Sequence, residues 1–73
     1  MSKVFNISVV GGAGHIGLPL SCFIQNQGHK VTVIDKNQKV MNDASNGIEP
    51  FEEIDFKDNL NEALKNGLNF SND

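Results

Sequence analysis

The chain has 73 residues, room for one small domain with a modest core. Its hydrophobic content of 38% is too high for a disordered tail, and its net charge of −3 excludes an electrostatic grip on nucleic acid or an anionic membrane. Cys22 is the single cysteine, which excludes an internal disulfide and any metal cluster built from thiolates.

Residues 4–10 are rich in β-branched side chains (Val4, Ile7, Val9, Val10) and are cut off by Gly11 and Gly12. Such a run bounded by glycines predicts a buried strand. Over residues 15–27 the side chains of Ile16, Leu20, Phe23, Ile24 and Gln27 recur at helical spacing, which predicts a helix with one apolar face. Gly28 supplies its left-handed cap, and Pro19 sits early enough that its missing N–H costs little. Residues 31–35 predict a second buried strand that ends in the carboxylate of Asp35.

Val40, Met41 and Ala44 predict a helix over residues 38–46, closed by Gly47. The segment from Glu49 to Glu53 cannot prolong it, because Pro50 forces its predecessor towards extended geometry. Leu60, Ala63 and Leu64 share one side of a further helix over residues 57–66, stopped by Gly67, whose charges make a solvated face. Leu68, Asn69 and Phe70 begin a third strand. Strands that alternate with helices in this way form a parallel sheet through right-handed crossovers. The fold class is therefore α/β, a partial Rossmann (doubly wound) fold of about three parallel strands with helices. The open edge of the last strand suggests truncation. No apolar run spans a bilayer and no leader pattern is present, so the expected location is the cytoplasm.

Gly12-Ala13-Gly14-His15-Ile16-Gly17 is G-x-G-x-x-G. By itself the pattern is weak, since loop glycines commonly serve turn geometry alone. Here it follows a strand, opens a helix, and precedes an acid that ends the next strand. Together these point to dinucleotide binding. Gly12 permits the turn, Gly14 lets backbone approach a pyrophosphate, and Gly17 lets the helix lie close to the sheet. The pyrophosphate then rests at the positive end of the helix. Asp35 accepts hydrogen bonds from the adenosine ribose and repels a 2′-phosphate, which favours NAD over NADP. Lys36 beside it counters part of that repulsion. His15 and Ile16 fill the variable loop positions; His15 lies beside the pyrophosphate, too far from the nicotinamide to act as a base. His29 is turn chemistry, and Cys22 is a packing residue.

The run Val9-Val10-Gly11-Gly12-Ala13-Gly14-His15-Ile16-Gly17-Leu18-Pro19-Leu20 resembles the start of the nucleotide-sugar dehydrogenases. The resemblance continues through Gly28-His29-Lys30-Val31 and Asp35-Lys36-Asn37. It reaches Asn46-Gly47-Ile48-Glu49-Pro50-Phe51-Glu52-Glu53, similar to the family's G-x-x-P-F-x-E segment. The chain departs from the family where Ile54 and Asp55 follow Glu53, and where Val40 stands at the place of a basic residue.

This resemblance implies an N-terminal NAD-binding fragment, spanning residues 1–73, of an enzyme that oxidises a UDP-sugar C6 alcohol to the uronic acid. Each of the two oxidations consumes one NAD. A thiol nucleophile, a lysine and carboxylate or amide groups far downstream would do that work through covalent thiohemiacetal and thioester stages. Cys22 does not match the catalytic position, so this chain carries no catalytic residue, and the fragment alone is expected to be inactive. The UDP-sugar belongs to the complete protein, as does homo-oligomer formation through later helices. Two alternatives share the glycine motif: another NAD-dependent dehydrogenase class, and a regulatory NAD-sensing module of the potassium-transport type. The Pro50-Phe51 segment speaks against both.

Overall fold

The computed structural model describes residues 3–50 and 56–72. Six elements follow in the expected order: β1 (Asn6–Val10), α1 (Gly17–Asn26), β2 (Lys30–Ile34), α2 (Gln38–Ser45), α3 (Phe56–Lys65) and β3 (Asn69–Ser71). The three strands form one parallel sheet in the order β1-β2-β3. Val10 pairs with Ile34 and Ile34 with Ser71, so all three strands finish level. Whatever follows β1 and whatever follows β2 must therefore meet at one end of the sheet. This is the partial doubly wound α/β architecture.

Side chains alternate across a strand, so each strand shows the sheet's two faces in turn. Val31 and Val33 are buried beneath the helices, and Ile7, Val9 and Phe70 pack beside them. The opposite face carries Asn6, Ser8, Lys30 and Asn69, all exposed. The strands are thus buried on one face rather than on both, as their apolar runs had suggested.

The helix expected over residues 15–27 is shorter, and its buried face differs from the expected one. Leu18, Ser21, Cys22 and Gln25 face the core, whereas Ile16, Leu20 and Phe23 are exposed and Ile24 is half-buried. The small side chains of Ser21 and Cys22 let α1 approach β1, β2 and α3 closely. Burial of the polar members is made possible by hydrogen bonds. Ser21 Oγ donates to the Gly17 carbonyl at 2.7 Å. Gln25 accepts from the Val31 N–H at 2.8 Å and donates to the Asn66 carbonyl at 2.7 Å. This amide ties the end of α1 to the start of β2 and to the turn after α3.

On α2, Met41 and Ala44 are buried, and on α3 Phe56, Leu60 and Ala63. Leu64 is only half-buried, and the charges of α3 lie exposed as expected. Gly28, Gly47 and Gly67 all take positive φ directly after the helices they terminate. Glu49 and Pro50 are non-helical, as expected. The Phe51-to-Asp55 part of the proline-phenylalanine segment lies outside the described residues.

Candidate dinucleotide site

The glycine loop begins where β1 ends. Gly11 carries the positive φ of the turn, +74°, which sequence reasoning had assigned to Gly12. The N–H groups of Gly11 and Gly12 both donate to the Ile34 carbonyl, at 2.7 and 3.2 Å, and this fastens the loop to the end of β2. Gly12 is required for close packing instead. A Cβ there would lie 2.6 Å from the Val9 carbonyl oxygen and 3.0 Å from Val33. At Gly17 it would meet the Gly11 carbonyl oxygen and the Gly12 Cα, both at 2.8 Å. Gly14 is different, because the nearest atom to its Cβ would be the Gly11 oxygen at 3.8 Å. Nothing in the fold itself demands a glycine at 14; the space above it is open.

Asp35 follows β2 immediately and reaches the loop. Its Oδ2 accepts from the Ala13 N–H at 3.1 Å, and its Oδ1 from the Asn37 N–H at 2.9 Å. These backbone donors, Asn37 first and then Ala13, hold the carboxyl below the usual carboxylate range, with a smaller contribution from the Lys36 N–H. Asp35 therefore stays ionised at neutral pH. The glycine bend and the acid, 22 residues apart by their Ala13–Asp35 contact, share one site.

Behind the loop, α1 starts without a side-chain cap and with no acid in its first turn. Among the described residues, the N–H groups of Ile16 and Gly17 donate to no protein acceptor. Two unpartnered donors at a helix N-terminus, beside an open glycine, make a ready seat for a phosphate. A hollow of about 240 Å³ lies against this loop, lined by Ala13, Gly14, His15, Asn37, Val40 and Pro50. A larger one, about 480 Å³, crosses the strand ends and is lined by Val10, Gly11, Ile34, Asp35, Lys36 and Asn72. Ile16 stands 84% exposed between the loop and the helix. The site residues expected from sequence, Gly12, Gly14, His15, Ile16, Gly17, Asp35 and Lys36, thus gather at one end of the sheet.

Sequence reasoning missed three contributors. Gly11 makes the turn, the Ala13 N–H holds the acid, and Asn37 both donates to Asp35 and caps α2 through its side chain. Only Asn37 left a readable signal, an amide three residues before Val40 at a helix start. Cys22 is fully buried, and burial pushes its thiol up to about 11, so it is no nucleophile at neutral pH. Among the described residues there is no cluster of three or more metal-ligating side chains, and no helix is long and apolar enough to cross a membrane.

Fold and site together define a dinucleotide-binding domain of the Rossmann class. Residues 5–73 match the UDP-glucose/GDP-mannose dehydrogenase family, NAD binding domain, and the chain belongs to that family. No curated protein matches the chain significantly.

Solved structures give the same picture. The chain is 26% identical to a UDP-glucose dehydrogenase from Pyrobaculum islandicum, with a TM-score of 0.92 over 99% of its residues. It is 28% identical to a UDP-D-ManNAc dehydrogenase from Pyrococcus horikoshii (TM-score 0.85, 93% of this chain). To the UDP-N-acetyl-mannosamine dehydrogenase from Staphylococcus aureus the identity is 34% (TM-score 0.83, 90% of this chain). The chain spans 16–17% of the length of these proteins. Nothing in these matches favours a regulatory module of the potassium-transport type.

Proposed function

We propose that Gly12, Gly14, His15, Ile16, Gly17, Asp35 and Lys36 hold NAD, and that the chain serves as the cofactor-binding part of a UDP-sugar 6-dehydrogenase. The observation that carries this reading is the pair of unpartnered N–H groups at the start of α1, beside the carboxylate of Asp35. A diphosphate fits over Gly14 because no Cβ occupies that space. The loop N–H groups and the helix N-terminus neutralise its charge. Asp35 orients the adenosine ribose through its oxygens, and it disfavours a 2′-phosphate by like charge. Gly12 and Gly17 keep the loop thin enough for the ligand to sit low on the strand ends. His15 and Lys36 border the two hollows on either side.

When bound, NAD supplies the hydride acceptor for oxidising the sugar alcohol. The residues that take up the UDP-sugar and its proton lie, in this reading, outside residues 1–73. So do the helices through which the complete protein forms a homo-oligomer. The cytoplasm, where NAD and nucleotide sugars are both at hand, is the proposed setting.

Calorimetric titration tests the cofactor reading. The chain should bind NAD, and Gly14→Val should abolish binding while leaving the far-ultraviolet circular dichroism unchanged. Full-strength binding by Gly14→Val would overturn it. A steady-state assay with NAD and UDP-sugars should give no turnover by these 73 residues.

A further inference from the structure

Two dipeptides of this chain share one chemistry and one local fold. Asn46-Gly47 closes α2, and Asn66-Gly67 closes α3. A glycine has no side chain to shield its backbone nitrogen from the asparagine before it, and asparagines are among the thermolabile residues of proteins. Both glycines take positive φ, +78° and +98°. Each donates its N–H back into the helix, Gly47 to the Ala44 carbonyl at 3.0 Å and Gly67 to that of Leu64 at 3.1 Å. The next residue does the same, Ile48 to Asp43 at 2.8 Å and Leu68 to Ala63 at 2.9 Å. Within their own helices the two caps are interchangeable.

The rest of the fold holds them differently. The Asn66 carbonyl accepts from Nε2 of Gln25, a side chain only 4% exposed, at 2.7 Å. Asn66 Nδ2 donates to Asn26 Oδ1 at 3.0 Å. The peptide between Asn66 and Gly67 is thus anchored to α1, and through the other end of the Gln25 amide to the Val31 N–H of β2. Asn46 is exposed and has no such tie. Its Nδ2 donates to the Asn42 carbonyl at 2.8 Å and its N–H to that of Asp43, both within α2. Among the described residues, the Asn46 carbonyl accepts from no donor.

We propose that Asn46 is a site of spontaneous covalent modification in the folded chain, where it converts to aspartate and isoaspartate, and that α1 protects Asn66 from the same reaction. In the first step the Gly47 nitrogen gives up its proton and attacks Asn46 Cγ. The N–Cγ bond forms, the Cγ–Nδ2 bond breaks, and ammonia leaves, which closes a five-membered imide. Water then opens the ring. Attack at Cγ gives aspartate. Attack at the main-chain carbonyl carbon gives isoaspartate, with the chain running on through the former side chain. Water is the only co-reactant, and nothing is oxidised or reduced.

Ring closure is the step on which the fold acts. At ψ 10° the Gly47 nitrogen points away from Asn46 Cγ, so the peptide after Asn46 must rotate. That rotation breaks the Gly47 and Ile48 cap bonds and frays one helix end, the least protected kind of opening. At Asn66 the same rotation also pulls the carbonyl from Gln25 and leaves a buried amide donor unsatisfied, which costs far more. Modification at Asn46 places a carboxylate at the negative end of α2, whose last turn holds no basic residue. The chain becomes one unit more negative than its present −3.

Peptide mapping of the 73-residue chain, aged at mildly alkaline pH and physiological temperature, tests the proposal. Tryptic peptide 40–57 should gain about one mass unit, localised by fragmentation to Asn46. Peptide 66–73 should gain it at Asn66 at least ten times more slowly. In denaturing urea the two rates should come within threefold of each other, because only the fold separates them. Asn46→Gln should remove the shift from peptide 40–57. Gln25→Met should speed the reaction at Asn66 at least fivefold and leave that at Asn46 within twofold. Where Gln25→Met does not fold, the comparison of native and urea rates in the parent chain decides the matter. Equal native rates, a faster Asn66, or an Asn46 that does not react in the folded chain overturns the proposal.

Discussion

Two helices begin at the same end of the sheet, and their N-termini are finished in opposite ways. At α2 the Asn37 side chain accepts the Val40 N–H at 3.2 Å, while the Asn37 N–H is taken up by Asp35. At α1 no side chain caps the end, no acid lies in the first turn, and two N–H groups stay unpartnered. Each helix end presents the same kind of orphan donors. At α2 a side chain of the protein's own takes up a first-turn donor, whereas at α1 no side chain reaches the helix end, which opens towards a glycine loop. A helix end that forgoes its cap gives up about 1 kcal/mol of stability. In the proposed reading the open end is a binding feature, and the capped end is a fastener for the acid beside it.

The sharpest way to break this contrast is to crowd the open end. Gly17→Ala puts a Cβ 2.8 Å from two backbone atoms of the loop, with no flexible side chain to give way. Overpacking of this kind costs about 3 kcal/mol, a large share of the roughly 4–11 kcal/mol that a chain of this size holds. Urea unfolding should show it, and Gly14→Ala, with open space around its Cβ, should leave the midpoint unchanged within error. Equal midpoints for the two variants would refute the division of labour between these glycines.

Next in size is Asp35→Asn. It removes the charge that, in the proposed reading, faces the ribose and weakens the tie to Ala13 and Asn37, so NAD affinity should fall at least tenfold by calorimetry. The fold holds the Asp35 carboxyl below its unfolded value of about 3.9. Its stabilising contribution is therefore complete above that value and is lost as pH falls through the lower folded value. Unfolding midpoints measured from neutral pH downwards should show this loss in the parent chain, and a reduced one in Asp35→Asn.

At the capped end, Asn37→Ala should cost about 1 kcal/mol, the usual loss for an N-cap. It should change NAD affinity less than Asp35→Asn does, because the Asn37 backbone donor survives. A binding loss equal to that of Asp35→Asn would make Asn37 a ligand contact rather than a fastener. The smallest effect is expected one turn further on. Lys39 pairs with Asp43 at 2.9 Å, but its side chain is 85% exposed. Lys39→Ala should therefore move the thermal midpoint by no more than the equivalent of about 0.5 kcal/mol.

Most of the site was legible in the residues because it is built from backbone that particular side chains require. Three glycine caps fell where the patterns ended, and Asp35 stands at the close of β2 beside the loop. A Cβ at Gly14 would stand in open space, and one at Gly17 would press on the loop backbone. The position of the turn itself was off by one residue, since either Gly11 or Gly12 can adopt positive φ and only the pairing with Ile34 chooses between them.

By itself, the sequence determined the order of elements, their parallel pairing and the end of the sheet at which a dinucleotide can rest. These follow from short-range rules: glycine where φ is positive, alternation in strands, and an acid one residue past a strand. What the tertiary structure alone decided is which side of α1 turns inward. Apolar periodicity selected Ile16, Leu20 and Phe23, yet the core took Leu18, Ser21, Cys22 and Gln25. Small side chains allowed close approach, and the Val31 N–H and the Asn66 carbonyl satisfied the buried amide. Those partners lie on other elements, and a count of apolar residues along one helix has no access to them.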